Sequence, residues 1–216
     1  RLYQMLSAVA GEDARIVITG ATSGIGEELA RQLRWHPSVS LLLGCRDTAR
    51  AERRFCSGAD DDRTKVAKLD LLDFDSVQAF TDEAYDFLNK GGPGLRLLVN
   101  NAGVMQPPPK GRPGGMDATW MTNFLGPFLL TELLGRLRAT KRGAETVRVV
   151  HVGSRLEKRS ELDDASLEAA ATGKGAASAY ADSKRALMYW TSVRAQNLAF
   201  KSEMYVHVST PGMVDM

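Results

Sequence analysis

Six short runs rich in leucine and β-branched residues alternate along this chain with longer stretches of helical period, and that alternation restricts the fold more than any other feature. The runs are "RIVIT" (15–19), "SVSLLL" (38–43), "TKVAKL" (64–69), "LRLLV" (95–99), "TVRVVHV" (146–152) and "MYVHVS" (204–209). Helical patterns lie near 24–36, 47–57, 73–90, 117–139 and 176–201. Leu29 and Leu33 mark an apolar stripe on the first, and Asp73 is placed to cap the third. Strands that read as nearly continuous apolar runs are buried on both faces, so they belong to a parallel sheet covered by helices on each side. Right-handed crossovers then give a doubly wound α/β sheet, expected in the order 3-2-1-4-5-6. "GGPG" (91–94) and "QPPPKGRPGG" (106–115) read as loops; the alternation resumes beyond both, so residues 1–216 are read as one domain.

Composition narrows the function classes. With 216 residues, 44% hydrophobic and 25% charged, the chain has ordinary globular values and the length for one core. A net charge of +2 leaves no basic footprint for nucleic acid. Cys45 and Cys56 are too few for a disulfide framework and lack the spacing of a zinc site. No metal is therefore expected, and the simplest compartment is reducing and intracellular, most simply the cytoplasm. No apolar run approaches the ~18 to 20 residues of a membrane span, and no signal-peptide pattern is present. The first residue is Arg1 rather than methionine, which is compatible with an anchor ahead of it.

"TGATSGIG" (19–26) follows the first strand and opens the first helix. Gly20, Gly24 and Gly26 permit a tight turn; with Thr22, Ser23 and Ile25 they bring backbone N–H groups and a helix N-terminus toward a pyrophosphate. Their spacing is one residue longer than the commoner dinucleotide fingerprint, but the strand, turn and helix context is right. At the end of the second strand, where an acid ordinarily holds the ribose 2′-hydroxyl of NAD, the chain has Cys45 followed by Arg46. A guanidinium suits a 2′-phosphate, so NADP(H) is the expected cofactor. Asp47, two positions beyond Cys45, is the competing ribose partner.

"SAYADSK" (178–184) puts Tyr180 and Lys184 one helical turn apart, which taken alone describes no more than a polar helix face. With the other motifs, the chain resembles the classical short-chain dehydrogenase/reductase family along nearly its whole length. The family's adenine-contacting aspartate matches Asp70, followed by Leu71, in "KLDLLD"; its motif after the fourth strand matches Asn101, Ala102 and Gly103 in "NNAG". Its catalytic asparagine matches Asn123 in "TNFLGPF", its serine Ser154 in "VVHVGS", its Tyr-x-x-x-Lys pair Tyr180 and Lys184, and its late Pro-Gly Pro211 and Gly212. The resemblance implies a Rossmann-like fold and hydride transfer between NADP(H) and a small-molecule alcohol or carbonyl.

Such chemistry needs a group that exchanges a proton with the substrate oxygen near neutral pH. Tyrosine's ordinary pKa of about 10 is roughly three units too high, or about 4 kcal/mol. A lysine charge about 4 Å away at an effective dielectric near 20 is worth roughly as much. By resemblance, Tyr180 is the acid/base, Lys184 lowers its pKa and holds the nicotinamide ribose, Ser154 holds the substrate oxygen, and Asn123 fixes a water that extends a proton relay. A non-catalytic NADP(H)-binding sensor or scaffold is the alternative, against which the intact Asn-Ser-Tyr-Lys set argues. An epimerase or dehydratase fits the glycine spacing less well.

The 26-residue interval from Ser154 to Tyr180 holds the polar stretch "RLEKRSELDDASLEAAATGKG", similar to retinol dehydrogenases and related carbonyl reductases. A moderately apolar substrate is therefore expected. Phe124, Pro127 and Gly153 depart from the residues common in those relatives. The chain stops four residues after Gly212, whereas the family continues through a substrate loop, a helix and a seventh strand. The reading is thus of a C-terminally incomplete fold whose substrate determinants, and the surface for a possible homodimer, lie mostly in what is missing.

Overall fold

The structure, a computed structural model, describes residues 14–56, 62–89, 94–105, 115–139, 147–163, 168, 171, 179–196 and 204–211. Six strands, β1 (Ala14–Thr19), β2 (Val39–Cys45), β3 (Thr64–Lys68), β4 (Leu95–Asn100), β5 (Val147–Val152) and β6 (Met204–Ser209), form a parallel sheet. The order is β3-β2-β1-β4-β5-β6, as expected. The crossovers carry helices α1 (Gly24–Leu33), α2 (Thr48–Phe55), α3 (Phe74–Asn89), α4 (Ala118–Trp120), α5 (Gly126–Ala139) and α6 (Ala179–Gln196).

Alternation within single strands feeds two cores. Val17, Leu42, Leu98 and Val149 point to one face, under Phe80 of α3 and Leu130 and Leu134 of α5. Ile16, Ile18, Leu41 and Leu43 point to the other, against Ala30 and Leu33 of α1 and Ala51 and Phe55 of α2. Each such large side chain contributes roughly 1.5–3 kcal/mol by burial, and both faces are needed to hold the strand ends in one row. The switch in strand order between β1 and β4 opens a crevice at the carboxyl ends, where ligands bind in sheets of this kind.

Among the differences from the expected bounds, two bear on the site. β2 continues to Cys45 because its pairing with β3 runs on, Cys45 lying opposite Lys68. The helix expected over 117–139 is interrupted: Asp117 caps α4 by accepting from Thr119 N at 2.8 Å and Trp120 N at 3.1 Å. A π-helical turn, Met121–Leu125, follows before α5 begins. That turn contains Asn123, and π-turns inside helices are frequent where a side chain is needed in an unusual direction. Asp73 caps α3 as expected, accepting from Asp75 N at 2.9 Å and Ser76 N at 3.3 Å.

Candidate active site

The glycine turn is built against the end of β4. Gly20 has φ 71°, and a Cβ there would lie 2.8 Å from Ala102 Cα, so neither its conformation nor its neighbour tolerates a side chain. Asn101 locks the approach, its Nδ2 donating to the carbonyls of Thr19 and Gly20 at 3.1 Å each. Thr19 Oγ1 accepts from Asn101 N and Ala102 N, also at 3.1 Å. The Asn101 side chain therefore shapes the turn. Ser23 is the N-cap of α1 but makes no side-chain cap bond, and Gly24, at φ 56°, has no atom within 4 Å of where a Cβ would stand. A helix N-terminus left open by its own cap, behind a glycine facing empty space, fits a pyrophosphate. Thr22 and Ile25 are half-buried beside it.

Toward β3 lie the groups that would meet the adenosine half of a dinucleotide. Asp47 Oδ1 accepts from Arg50 N at 2.9 Å and so is committed as the N-cap of α2, leaving Arg46 exposed at the end of β2. Cys45 is buried, and burial pushes its thiol up, so it offers no charge. Asp70 Oδ1 accepts from Leu72 N at 3.1 Å in a local turn. Leu71 is turned inward: its side chain joins the α3/α5 core, and a Cβ on Gly126 would come within 2.6 Å of its carbonyl.

The second cluster forms where β4, β5, the π-turn and α6 meet. Asn123 grips Val104 with both ends of its amide: Oδ1 accepts from Val104 N at 2.8 Å, and Nδ2 donates to Val104 O at 2.9 Å. Asn123 Nδ2 also donates to Ser183 Oγ at 3.1 Å, and Ser183 Oγ donates to Tyr180 O at 2.8 Å, so the π-turn is tied to the start of α6. Lys184 Nζ donates to Val152 O at 2.7 Å and stands 5.8 Å from the Tyr180 ring centroid. A Cβ on Gly103 would fall 3.3 Å from Asn123 Oδ1 and 3.5 Å from Lys184 Nζ, which puts the "NNAG" turn at the same spot. Ser154, two residues beyond the carbonyl that holds Lys184, caps the 3-10 turn Arg155–Arg159 by accepting from Leu156 N at 3.2 Å. Its own hydroxyl proton remains available to a ligand. Pro211 follows β6 and is half-buried; Gly212 lies outside the described residues.

Electrostatically the cluster is strained toward neutrality. Burial pushes the Lys184 ammonium down to about 8. His151 is pushed down to about 3 by burial and by the charge on Lys184. Asn100 Nδ2 approaches His151 Nδ1 at 3.2 Å and can only donate, so His151 carries its proton on Nε2.

Comparison with known proteins places the whole described chain in one family. The short chain dehydrogenase family model matches residues 14–216. The chain belongs to the short-chain dehydrogenase family. It is 35% identical over 212 residues to retinol dehydrogenase 14 of Mus musculus, covering 92% of this chain and 60% of that protein. It is 37% identical over 207 residues to the polyprenol dehydrogenase of Mus musculus, covering 92% and 59% respectively. Among solved structures it resembles the NADPH-bound carbonyl reductase from chicken fatty liver, with TM-score 0.66 and 21% identity over 93% of this chain and 79% of that one. The chain thus spans about 60% of the length of the curated relatives it matches. Among the described residues no helix is long and apolar enough to cross a membrane, and no group of side chains is placed to hold a metal ion.

Within this short-chain dehydrogenase, sequence reading missed Val104, Ser183 and Val152, all of which orient the cluster through atoms with no motif of their own. Ser183 adjoins Lys184 in sequence, but its importance rests on Asn123, sixty positions earlier. A Cβ on Gly153 would lie 2.6 Å from Val208 Cγ1, so this glycine lets β5 and β6 close at the site. Most of the polar interval before Tyr180 lies outside the described residues.

Proposed function

We propose that the chain carries the cofactor-binding and proton-transfer groups of an NADP(H)-dependent oxidoreductase that interconverts an alcohol and a carbonyl in a moderately apolar substrate. The observation that carries this reading is the buried Lys184 ammonium, held on Val152 O beside Asn123 and one turn from Tyr180. A charge that burial drives toward neutrality, kept in a cleft beside a proton-bearing phenol, is the mark of a site that uses it. Tyr180 donates or accepts the proton of the substrate oxygen, and Lys184 stabilises the negative charge on the phenol oxygen when the proton leaves. Ser154, its lone pair engaged by Leu156 N, donates its hydroxyl proton to the same substrate oxygen. Asn123 holds the π-turn and Ser183, keeping Tyr180 and Lys184 in register.

The glycine turn and the α1 N-terminus bind the pyrophosphate, and Arg46, with Asp47 withdrawn into its cap, favours a 2′-phosphate and hence NADP(H) over NAD(H). Bound cofactor would supply or accept the hydride. The apolar character of the substrate is supported by Met105, exposed directly after Val104, and by the retinol and polyprenol for which the relatives are named. With only two cysteines in the sequence, a reducing, cytoplasmic setting is part of the same proposal.

The test is turnover of NADPH with all-trans-retinal, and of NADP with a polyprenol, by the full-length protein and its Tyr180→Phe form. Loss of turnover with NADPH affinity intact is expected. A Tyr180→Phe protein as active as the parent ends the acid/base assignment, and NADPH binding without turnover of any alcohol or carbonyl favours the sensor.

A further inference from the structure

Lys68 is the last residue of β3, paired across the sheet with Cys45, and its Nζ donates to Arg46 O at 2.6 Å. The lysine and the arginine that follows Cys45 are both exposed, at the carboxyl end of the sheet where the crevice lies. β2 stands between them and the glycine turn: Gly20 N donates to Gly44 O at 2.9 Å, one residue before Cys45. From the turn outward, the order is therefore pyrophosphate-binding loop, then the end of β2, then the end of β3. A dinucleotide laid from the α1 N-terminus over β2 brings its adenosine ribose to Arg46 and Lys68. The nearest acid, Asp47, is turned into the α2 cap, so it does not neutralise the pair by a direct bond.

Arg46 and Lys68 bring two cationic side chains to one exposed strand end, and Lys68 is held against the Arg46 backbone, a seat that uses one of its three N–H donors and leaves two for a ligand. We infer that Lys68 is the second cation of the 2′-phosphate subsite, its ammonium anchored on the Arg46 carbonyl and donating to a phosphate oxygen beside the Arg46 guanidinium. The inference rests on the NADP(H) reading and adds a residue to it. Guanidinium and ammonium then divide the work: Arg46 supplies the planar fork, and Lys68 a point charge that also fixes where the Arg46 backbone stands.

The experiment measures dissociation constants of NADPH and NADH by nucleotide fluorescence for the full chain and its Lys68→Gln, Lys68→Arg and Arg46→Ala forms. Adenosine 2′,5′-bisphosphate and AMP serve as competitors that differ in the 2′-phosphate alone. Loss of one charge-assisted hydrogen bond predicts that Lys68→Gln weakens NADPH and the bisphosphate about tenfold while NADH and AMP stay within about twofold, and that Lys68→Arg retains most of the affinity. Equal weakening of NADPH and NADH would mean that Lys68 only pins the backbone, and unchanged NADPH affinity would remove it from the subsite; either overturns the inference. A parent protein with no preference for NADPH defeats the NADP(H) reading itself. Preference abolished by Arg46→Ala but untouched by Lys68→Gln defeats the role of Lys68 alone. Lys68 is exposed, so its variants should fold, and their unchanged melting temperatures would confirm it.

Discussion

Replacing Lys184 by methionine removes a buried charge while keeping an unbranched side chain of similar volume, and it should make the unliganded protein more stable. Burial lowers the folded-state pKa of Lys184 from 10.5 to about 8. In the unfolded chain the ordinary value returns, so between those two pH values the unfolded state binds more protons than the folded one. Stability therefore rises with pH across that window, and below it the charged lysine costs the fold the full difference, about 3 kcal/mol. Methionine removes that cost but leaves Val152 O without its donor, a loss of about 1 kcal/mol. Urea unfolding at neutral pH should then find Lys184→Met about 2 kcal/mol more stable than the parent. The advantage should shrink above pH 8 and reverse by about 1 kcal/mol beyond pH 10.5, where both chains are neutral at this position. Comparing the two proteins at each pH cancels the titrating groups that Lys184 does not touch, and His151, which it does, titrates well below this window. A difference that does not change between neutral pH and pH 10.5, or a variant less stable throughout, would refute the placement of a charged lysine in a desolvated site. NADPH affinity and turnover should fall in the same variant, so the residue that weakens the fold is the one the chemistry requires.

Three further outcomes are expected. Gly26→Ala forces a Cβ against Asn101 Nδ2 and 2.5 Å from Gly20 O; urea unfolding should show a loss of about 2 kcal/mol or more, with NADPH binding weakened because the glycine turn must move. His151 stays neutral in the folded state down to about 3 but takes a proton near 6.5 once unfolded, so stability should fall as pH drops below 6.5; His151→Gln should flatten that limb by about 2 kcal/mol at pH 5, measured by urea midpoints. Ser160 Oγ donates to the buried Asp182 Oδ1 at 2.7 Å, and Ser160→Ala and Asp182→Ala should each cost about 1–3 kcal/mol, with a double variant well short of the sum; full additivity would show that the two side chains do not act together.

Much of the fold could be read from local pattern because the forces behind it are local. Leu98 and Val99, on consecutive positions, pack into opposite cores, and Asp73 reaches amides two and three residues ahead, so strands and caps declare themselves within a few residues. Tyr180 and Lys184 were likewise visible, since a helix sets their spacing. The π-turn at Met121–Leu125 was not, because its tie is Asn123 to Val104, nineteen positions away, and no helical periodicity records such a bond. The sequence favoured Arg46 over Asp47 as the ribose partner, but the bond from the Arg50 amide to the Asp47 carboxylate, which supports that proposal, is not recorded in the motif. Leu71 shows the converse: its place in a motif put it at the cofactor, while its side chain packs in the core.

The unequal chemistry of the two sheet faces explains where the molecule can carry such a site. The face under α1 and α2 is apolar from Ile16 to Phe55. On the other, a polar row interrupts the core: Asn100 Nδ2 donates to Thr131 Oγ1 at 2.9 Å, and Thr131 Oγ1 donates to Pro127 O at 2.7 Å. Asn123 bonded to Ser183, and Lys184 bonded to Val152 O next to His151, add further buried polar ties among β5, the π-turn and α6. His151 Nε2 and Asn100 Oδ1 are buried without a hydrogen-bond partner among the described residues. A leucine-packed interface would be more stable, because each net hydrogen bond returns about 1 kcal/mol and each unmet group costs as much or more. Apolar contacts, however, do not discriminate between neighbouring rotamers or one-residue shifts as a bidentate amide does. These bonds tie β4, β5, the π-turn and α6 at fixed atoms, and those elements carry or border Tyr180, Lys184 and Ser154, the groups proposed to meet one substrate oxygen. Thr131→Val, which takes one acceptor from the buried Asn100 Nδ2, should cost about 1 kcal/mol or more and lower turnover with it, and a variant that lost stability with unchanged kcat would separate the row from the site it borders.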